Sequence, residues 1–67
     1  MNSFQARLRE LRKANNLSQK QLADIIGTNN SSICDWECGR TQPDLDALVK
    51  LAHYFDVTSD YLLGIEE

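Results

Sequence analysis

No apolar run in this 67-residue sequence approaches the roughly 20 residues that cross a bilayer. Its opening stretch, MNSFQARLRELRK, also lacks the apolar segment of a secretory leader. A soluble, cytoplasmic chain with no membrane partner is the expectation. Proline occurs once and glycine three times, and no repeat, low-complexity stretch or linker interrupts the chain, which excludes a collagen-like fibre and a disordered tail. Nowhere do apolar and polar residues alternate long enough to suggest a strand. Cys34, Cys38 and the single His53 fall short of the four ligands of a zinc site, so neither metal nor cofactor is expected. Paired carboxylates set for acid–base work, a nucleophile beside an obvious base, and a glycine-rich phosphate loop are all missing, and a chain this short offers no deep cleft; an enzyme is not expected. A positive surplus is missing too, since the formal net charge is −3.

What is present is a set of helical patterns with clear ends, enough for one domain over residues 1–67. Phe4, Leu8 and Leu11 share one face of a first helix, over about residues 4–14, that leaves Arg7, Arg9 and Lys13 outside; Asn15 and Asn16 end it. Ser18 followed by Gln21 forms a capping box, so a second helix starts there, runs through Leu22, Ala23 and Ile26, and stops at Gly27. Thr28 and Asn29 offer a new cap only two residues later, so the third helix must turn sharply from the second. That is the spacing of a helix-turn-helix, over about residues 18–38. The third helix buries Ile33 and Trp36, carries Asn30, Ser31, Cys34, Asp35 and Cys38 on the opposite face, and ends at Gly39. Pro43 and Asp44 start a fourth helix with the stripe Leu45, Leu48, Leu51, Ala52 and Phe55. Thr58 caps a short fifth helix containing Tyr61, Leu62 and Leu63, ended by Gly64 and followed by a frayed tail at Glu66 and Glu67. Cys34 and Cys38, four apart on a helix, sit side by side and are expected to stay reduced.

The run Leu17-Ser18-Gln19-Lys20-Gln21-Leu22-Ala23, with Ile33, Trp36-Glu37-Cys38-Gly39, Pro43 and Tyr61-Leu62-Leu63-Gly64, resembles the lambda-repressor-like, or Cro/CI-type (XRE), helix-turn-helix family. The likeness extends over about residues 4–64. It implies an all-α, five-helix domain that binds double-stranded DNA, and a transcriptional regulator, a repressor, that reads a palindromic operator as a homodimer formed in solution or only on DNA. The charge distribution suits this reading. Residues 1–40 hold six basic against four acidic side chains, whereas residues 41–67 hold one against six.

In such a motif the second helix enters the major groove and the first crosses the backbone. Asn30 would bond an adenine edge, Ser31 would donate or accept, Cys34 would offer a weak apolar or thiol contact, and Asp35 would accept from a cytosine amino group or stand as a solvated acid. Family similarity puts these four at the outward reading positions. Ser18, Gln19 and the amides that open the second helix would hold a phosphate, with Asn29, Lys20, Arg40 and Gln42 as further backbone contacts; Lys20 fits a plain solvated face equally well. The resemblance further implies that Gln19 braces Asn30 and that Arg12 and Glu37 form a structural ion pair joining the first helix to the third. Leu63 and Ile65 are the expected dimer contacts, and oxidation of the two thiols is one conceivable regulator. The competing reading is a protein-interaction module, such as an antitoxin or anti-regulator, whose acidic second half docks a protein while DNA binding is weak.

Overall fold

A computed structural model describes residues 3–65, so the expected tail at Glu66 and Glu67 lies outside the described residues. Five α-helices follow one another: α1 (Ser3–Ala14), α2 (Gln19–Ile26), α3 (Asn30–Cys38), α4 (Leu45–Phe55) and α5 (Ser59–Leu63), with no strand among the described residues.

Local chemistry sets the ends. Ser18 Oγ accepts the Gln21 amide at 3.0 Å while Gln21 Oε1 accepts the Ser18 amide at 2.8 Å, a reciprocal capping box. Asn29, Asp44 and Thr58 cap α3, α4 and α5 with their side-chain oxygens. Gly27 and Gly39 leave α2 and α3 with φ of 88° and 84°, a left-handed geometry that a Cβ disfavours. α1 and α4 end instead through the left-handed residues Asn16 and Asp56.

The core collects one face from every helix: Phe4 and Leu8 of α1, Leu22, Ala23 and Ile26 of α2, Ile33 and Trp36 of α3, Leu51 and Ala52 of α4, and Leu62 of α5. Each large aliphatic among them is worth about 1.5–3 kcal/mol on burial. Two expectations need correction. Leu45 does not join the stripe of α4; it is 80% exposed, because it is the first helical residue after the Asp44 cap and precedes the turn that meets the core. The buried stripe begins with the partly covered Ala47 and Leu48. Arg7 is not an outside residue either. Its guanidinium donates to the Tyr61 carbonyl at 2.7 Å and lies 4.3 Å from the centre of the Tyr61 ring, tying α1 to α5 through a hydrogen bond and a cation–π contact.

Candidate nucleic-acid interface

α2 and α3 are joined by three residues, Gly27, Thr28 and Asn29, and their inner faces interlock through Leu22, Ala23, Ile26, Ile33 and Trp36. This packing turns the other side of α3 outward. Asn30 and Ser31 are exposed there, and Cys34 and Asp35 are half-buried. Helical spacing stacks Asn30, Cys34 and Cys38 in one row and Ser31 and Asp35 in the next. With its side chains an α-helix is about 10–12 Å across, so α3, nine residues long, fits a major groove about 12 Å wide.

The orientation of α3 is fixed from behind by Glu37. This residue is buried, its side chain wholly so. Arg12 meets it with two bonds, Nε to Oε2 at 2.6 Å and Nη2 to Oε1 at 3.0 Å, and sends Nη1 to the Leu17 carbonyl at 2.9 Å. One guanidinium thus ties α1, the loop before α2 and α3 together. Burial pushes the Glu37 carboxyl up, but the hydrogen bonds from Arg12 and Gln19 and the charges of Arg12 and Arg9 outweigh it and hold the group below its usual range. The bond to Glu37 raises the Arg12 guanidinium in turn. Arg9 adds a looser approach to Glu37 at 3.8 Å. A fork-to-fork pair of this kind specifies geometry, since desolvation offsets much of its attraction.

Gln19 differs from the expectation. Its Nε2 donates to Glu37 Oε1 at 3.2 Å instead of bracing Asn30. A buried carboxylate is a stronger acceptor than a surface amide, and it lies within reach of the first turn of α2. Neither Gln19's partner nor the part played by Arg9 was signalled by spacing along the chain. Recognising that a buried Glu37 has more acceptor capacity than one Arg12 can fill would have pointed to both.

The expected backbone-contact residues surround this face. Ser18 Oγ is engaged as an acceptor, yet its hydroxyl proton stays available, and the opening amides of α2 at Gln19 and Lys20 project from the helix start. Asn29 Oδ1 accepts from the Ser32 amide at 2.8 Å, which leaves its NH₂ as a donor. Gln42 borders a groove with Thr28, Ser32 and Trp36 beside α3. Lys20 stands 3.7 Å from Asp24 one turn on, and Arg40 stands 3.6 Å from Asp35. Both cations are largely exposed, so these pairs are loose and open readily toward a phosphate. Leu63 and Ile65 are 43% and 64% exposed at the end of α5, with Leu63 alongside Phe4, Pro43 and Leu48.

A family model described as helix-turn-helix matches residues 8–62. The chain belongs to the helix-turn-helix family. This helix-turn-helix domain is 48% identical over 61 residues to the uncharacterized HTH-type transcriptional regulator YobD of Bacillus subtilis (strain 168), an alignment covering 91% of the chain and 54% of YobD. It is 46% identical over 61 residues to the HTH-type transcriptional regulator AnsR of the same organism, covering 91% and 53%. The chain therefore spans about half the length of these relatives. Among solved structures, the P22 c2 repressor in complex with synthetic operator 9T superposes with a TM-score of 0.90 at 29% identity, over 98% of this chain and 100% of that one. The all-α, five-helix, lambda-repressor-like fold expected from the sequence is the one found.

Proposed function

We propose that this domain is the DNA-reading part of a transcriptional regulator, a repressor, acting inside the cell on a palindromic operator. α3 would lie in the major groove, with Asn30, Ser31, Cys34 and Asp35 facing base edges. Ser18, Gln19, Lys20, Asn29, Arg40 and Gln42 would hold the flanking phosphates. The observation that carries the reading is the outward row of polar side chains on α3, set at a fixed angle by the Arg12–Glu37–Gln19 cluster behind it. The regulators similar in sequence and the repressor–operator complex similar in fold support the same reading.

One domain of this size reaches few base pairs, so two copies related by a twofold axis would be the working form, with Leu63 and Ile65 as the contact. The net negative charge does not oppose this. Acidic residues concentrate in the second half, including Asp44, Asp46, Asp56 and Asp60, while α1 to α3 carry most of the basic ones. The domain performs no catalysis in this account.

Selection of bound sites from random duplex DNA tests the proposal. A twofold-symmetric consensus is expected. Absence of any enriched sequence at low salt would overturn the operator reading and favour a protein partner for the acidic half.

A further inference from the structure

The proposed reading helix carries a pair of thiols whose arrangement exceeds what base contact needs. Cys34 and Cys38 lie four residues apart on α3, both free, with their Sγ atoms 3.9 Å from each other. Cys34 is half-buried and Cys38 exposed.

The geometry separates the chemistries open to such a pair. A disulfide needs Cβ atoms about 3.5–4.5 Å apart, whereas positions i and i+4 of a helix hold them about 5–6 Å apart; closing the bond would distort α3. A peroxide-sensing thiol also needs easy ionisation. The hydrogen bond between the two thiols instead pushes Cys34 above its ordinary range, with the Asp35 carboxylate adding to the effect and Arg40 opposing it. A structural zinc ion takes four ligands, and among the described residues no group of three or more His, Cys, Asp or Glu is placed to hold a metal. A trivalent arsenic that already bears one carbon substituent needs two sulfurs and nothing else. Its bonds to sulfur resemble the zinc–sulfur bond of about 2.3 Å, so at the roughly 95–105° angle of a pyramidal centre two sulfurs stand about 3.4–3.7 Å apart. The two thiols are within a small side-chain rotation of that spacing.

We propose that Cys34 and Cys38 form a chelating site for a monosubstituted trivalent arsenical, and that its occupation closes the outward face of α3. Condensation of R–As=O with the two thiols makes two As–S bonds, breaks the As–O bond, and releases one water that carries away both thiol protons. Arsenic stays trivalent and no oxidant is consumed. The bridge and its organic group would cover the row Asn30, Cys34, Cys38, so the second half of the proposal rests on the operator reading and the first half does not.

Phenylarsine oxide added to the full chain is the probe. One phenylarsenic per chain is expected by mass, resistant to excess glutathione, a monothiol, and removed by 2,3-dimercaptopropanol, a dithiol. Cys34→Ser and Cys38→Ser should each give only adducts that glutathione strips, with helicity by circular dichroism confirming that the variants fold. Equal lability of the wild-type and single-serine adducts would overturn the chelate. On a selected duplex, one equivalent of reagent should weaken wild-type binding by about tenfold or more, the loss expected when a base contact is blocked. With excess glutathione present to strip single-thiol adducts, Cys38→Ser should bind DNA and ignore the reagent while the wild type stays inhibited. Chelation without any effect on DNA affinity would overturn the second half. Failure of the untreated chain to bind any duplex would overturn that half together with the operator reading, and mass and competition alone would still decide the chelate.

Discussion

Replacing Arg12 by methionine should cost more than replacing its partner Glu37 by leucine, and the structure says by how much. The Glu37 side chain is fully buried, whereas 11% of the Arg12 side chain meets solvent. Without Arg12, the buried carboxylate keeps only Gln19 at 3.2 Å and the largely exposed Arg9 at 3.8 Å. Stranding one charge of a buried pair costs about 3–5 kcal/mol, and the two residual partners place Arg12→Met near 3. A domain of 67 residues has a total stability of about 3–10 kcal/mol, so this variant stands at the edge of unfolding. Glu37→Leu leaves a guanidinium that still bonds the Leu17 carbonyl and reaches water, a loss of about 1–2 kcal/mol. The double variant Arg12→Met/Glu37→Leu strands no charge and should recover to within about 1 kcal/mol of wild type.

pH supplies a second check on the same variants. In the wild type the Glu37 carboxyl is held below its unfolded value of 4.5, so its contribution is complete above that value and is lost as pH falls through the lower, folded one. In Arg12→Met, burial with fewer counter-charges raises the folded pKa, and protonation relieves the strain as pH falls. The stability gap between the two proteins should therefore shrink from pH 7 toward pH 3. Urea unfolding followed by circular dichroism measures all of this. Equal losses for the two single variants, or a gap that widens in acid, would refute the reasoning.

Further outcomes follow from single residues. Asp35→Asn removes a carboxylate from the proposed DNA-facing side and frees Arg40, now 3.6 Å from it; binding to arbitrary duplex should strengthen about fivefold at low salt, measured by fluorescence anisotropy. Asp56 ends α4 in a left-handed conformation with a negative charge at the negative end of the helix dipole. Asp56→Asn keeps the conformation and removes the repulsion, so it should stabilise by about 0.3–1 kcal/mol in urea unfolding. Gly39→Ala, at φ 84° with the Gln5 side chain against the new Cβ, should destabilise by about 1–2 kcal/mol and lower the melting temperature.

The helix boundaries were legible because their causes are local. Ser18 and Gln21 satisfy each other's amides across three residues, Asn29 accepts the Ser32 amide at the start of α3, and Gly27 and Gly39 supply the left-handed exits. Which face of α3 turns outward was legible for a related reason, since Ile33 and Trp36 must go inward and the polar rows opposite follow from helical spacing. Leu45 satisfied the same spacing rule and still ended up exposed, because the rule does not know where along a helix the core begins. Helical spacing alone puts Arg7 outside, because nothing along the chain signals that the Tyr61 carbonyl, 54 residues away, receives it. Gln19's choice of Glu37 depended on a competition between acceptors, decided by burial and therefore by three-dimensional packing.

The most direct test of the central claim compares wild type and Asn30→Ala on a selected site and on copies of it carrying each single base substitution. The expected result is a loss of about 1–3 kcal/mol for Asn30→Ala on the selected site, with discrimination relaxed at one base position in each half-site and the salt dependence unchanged. A loss spread evenly over all sequences, or no loss at all, would contradict the assignment of α3 as the reading helix.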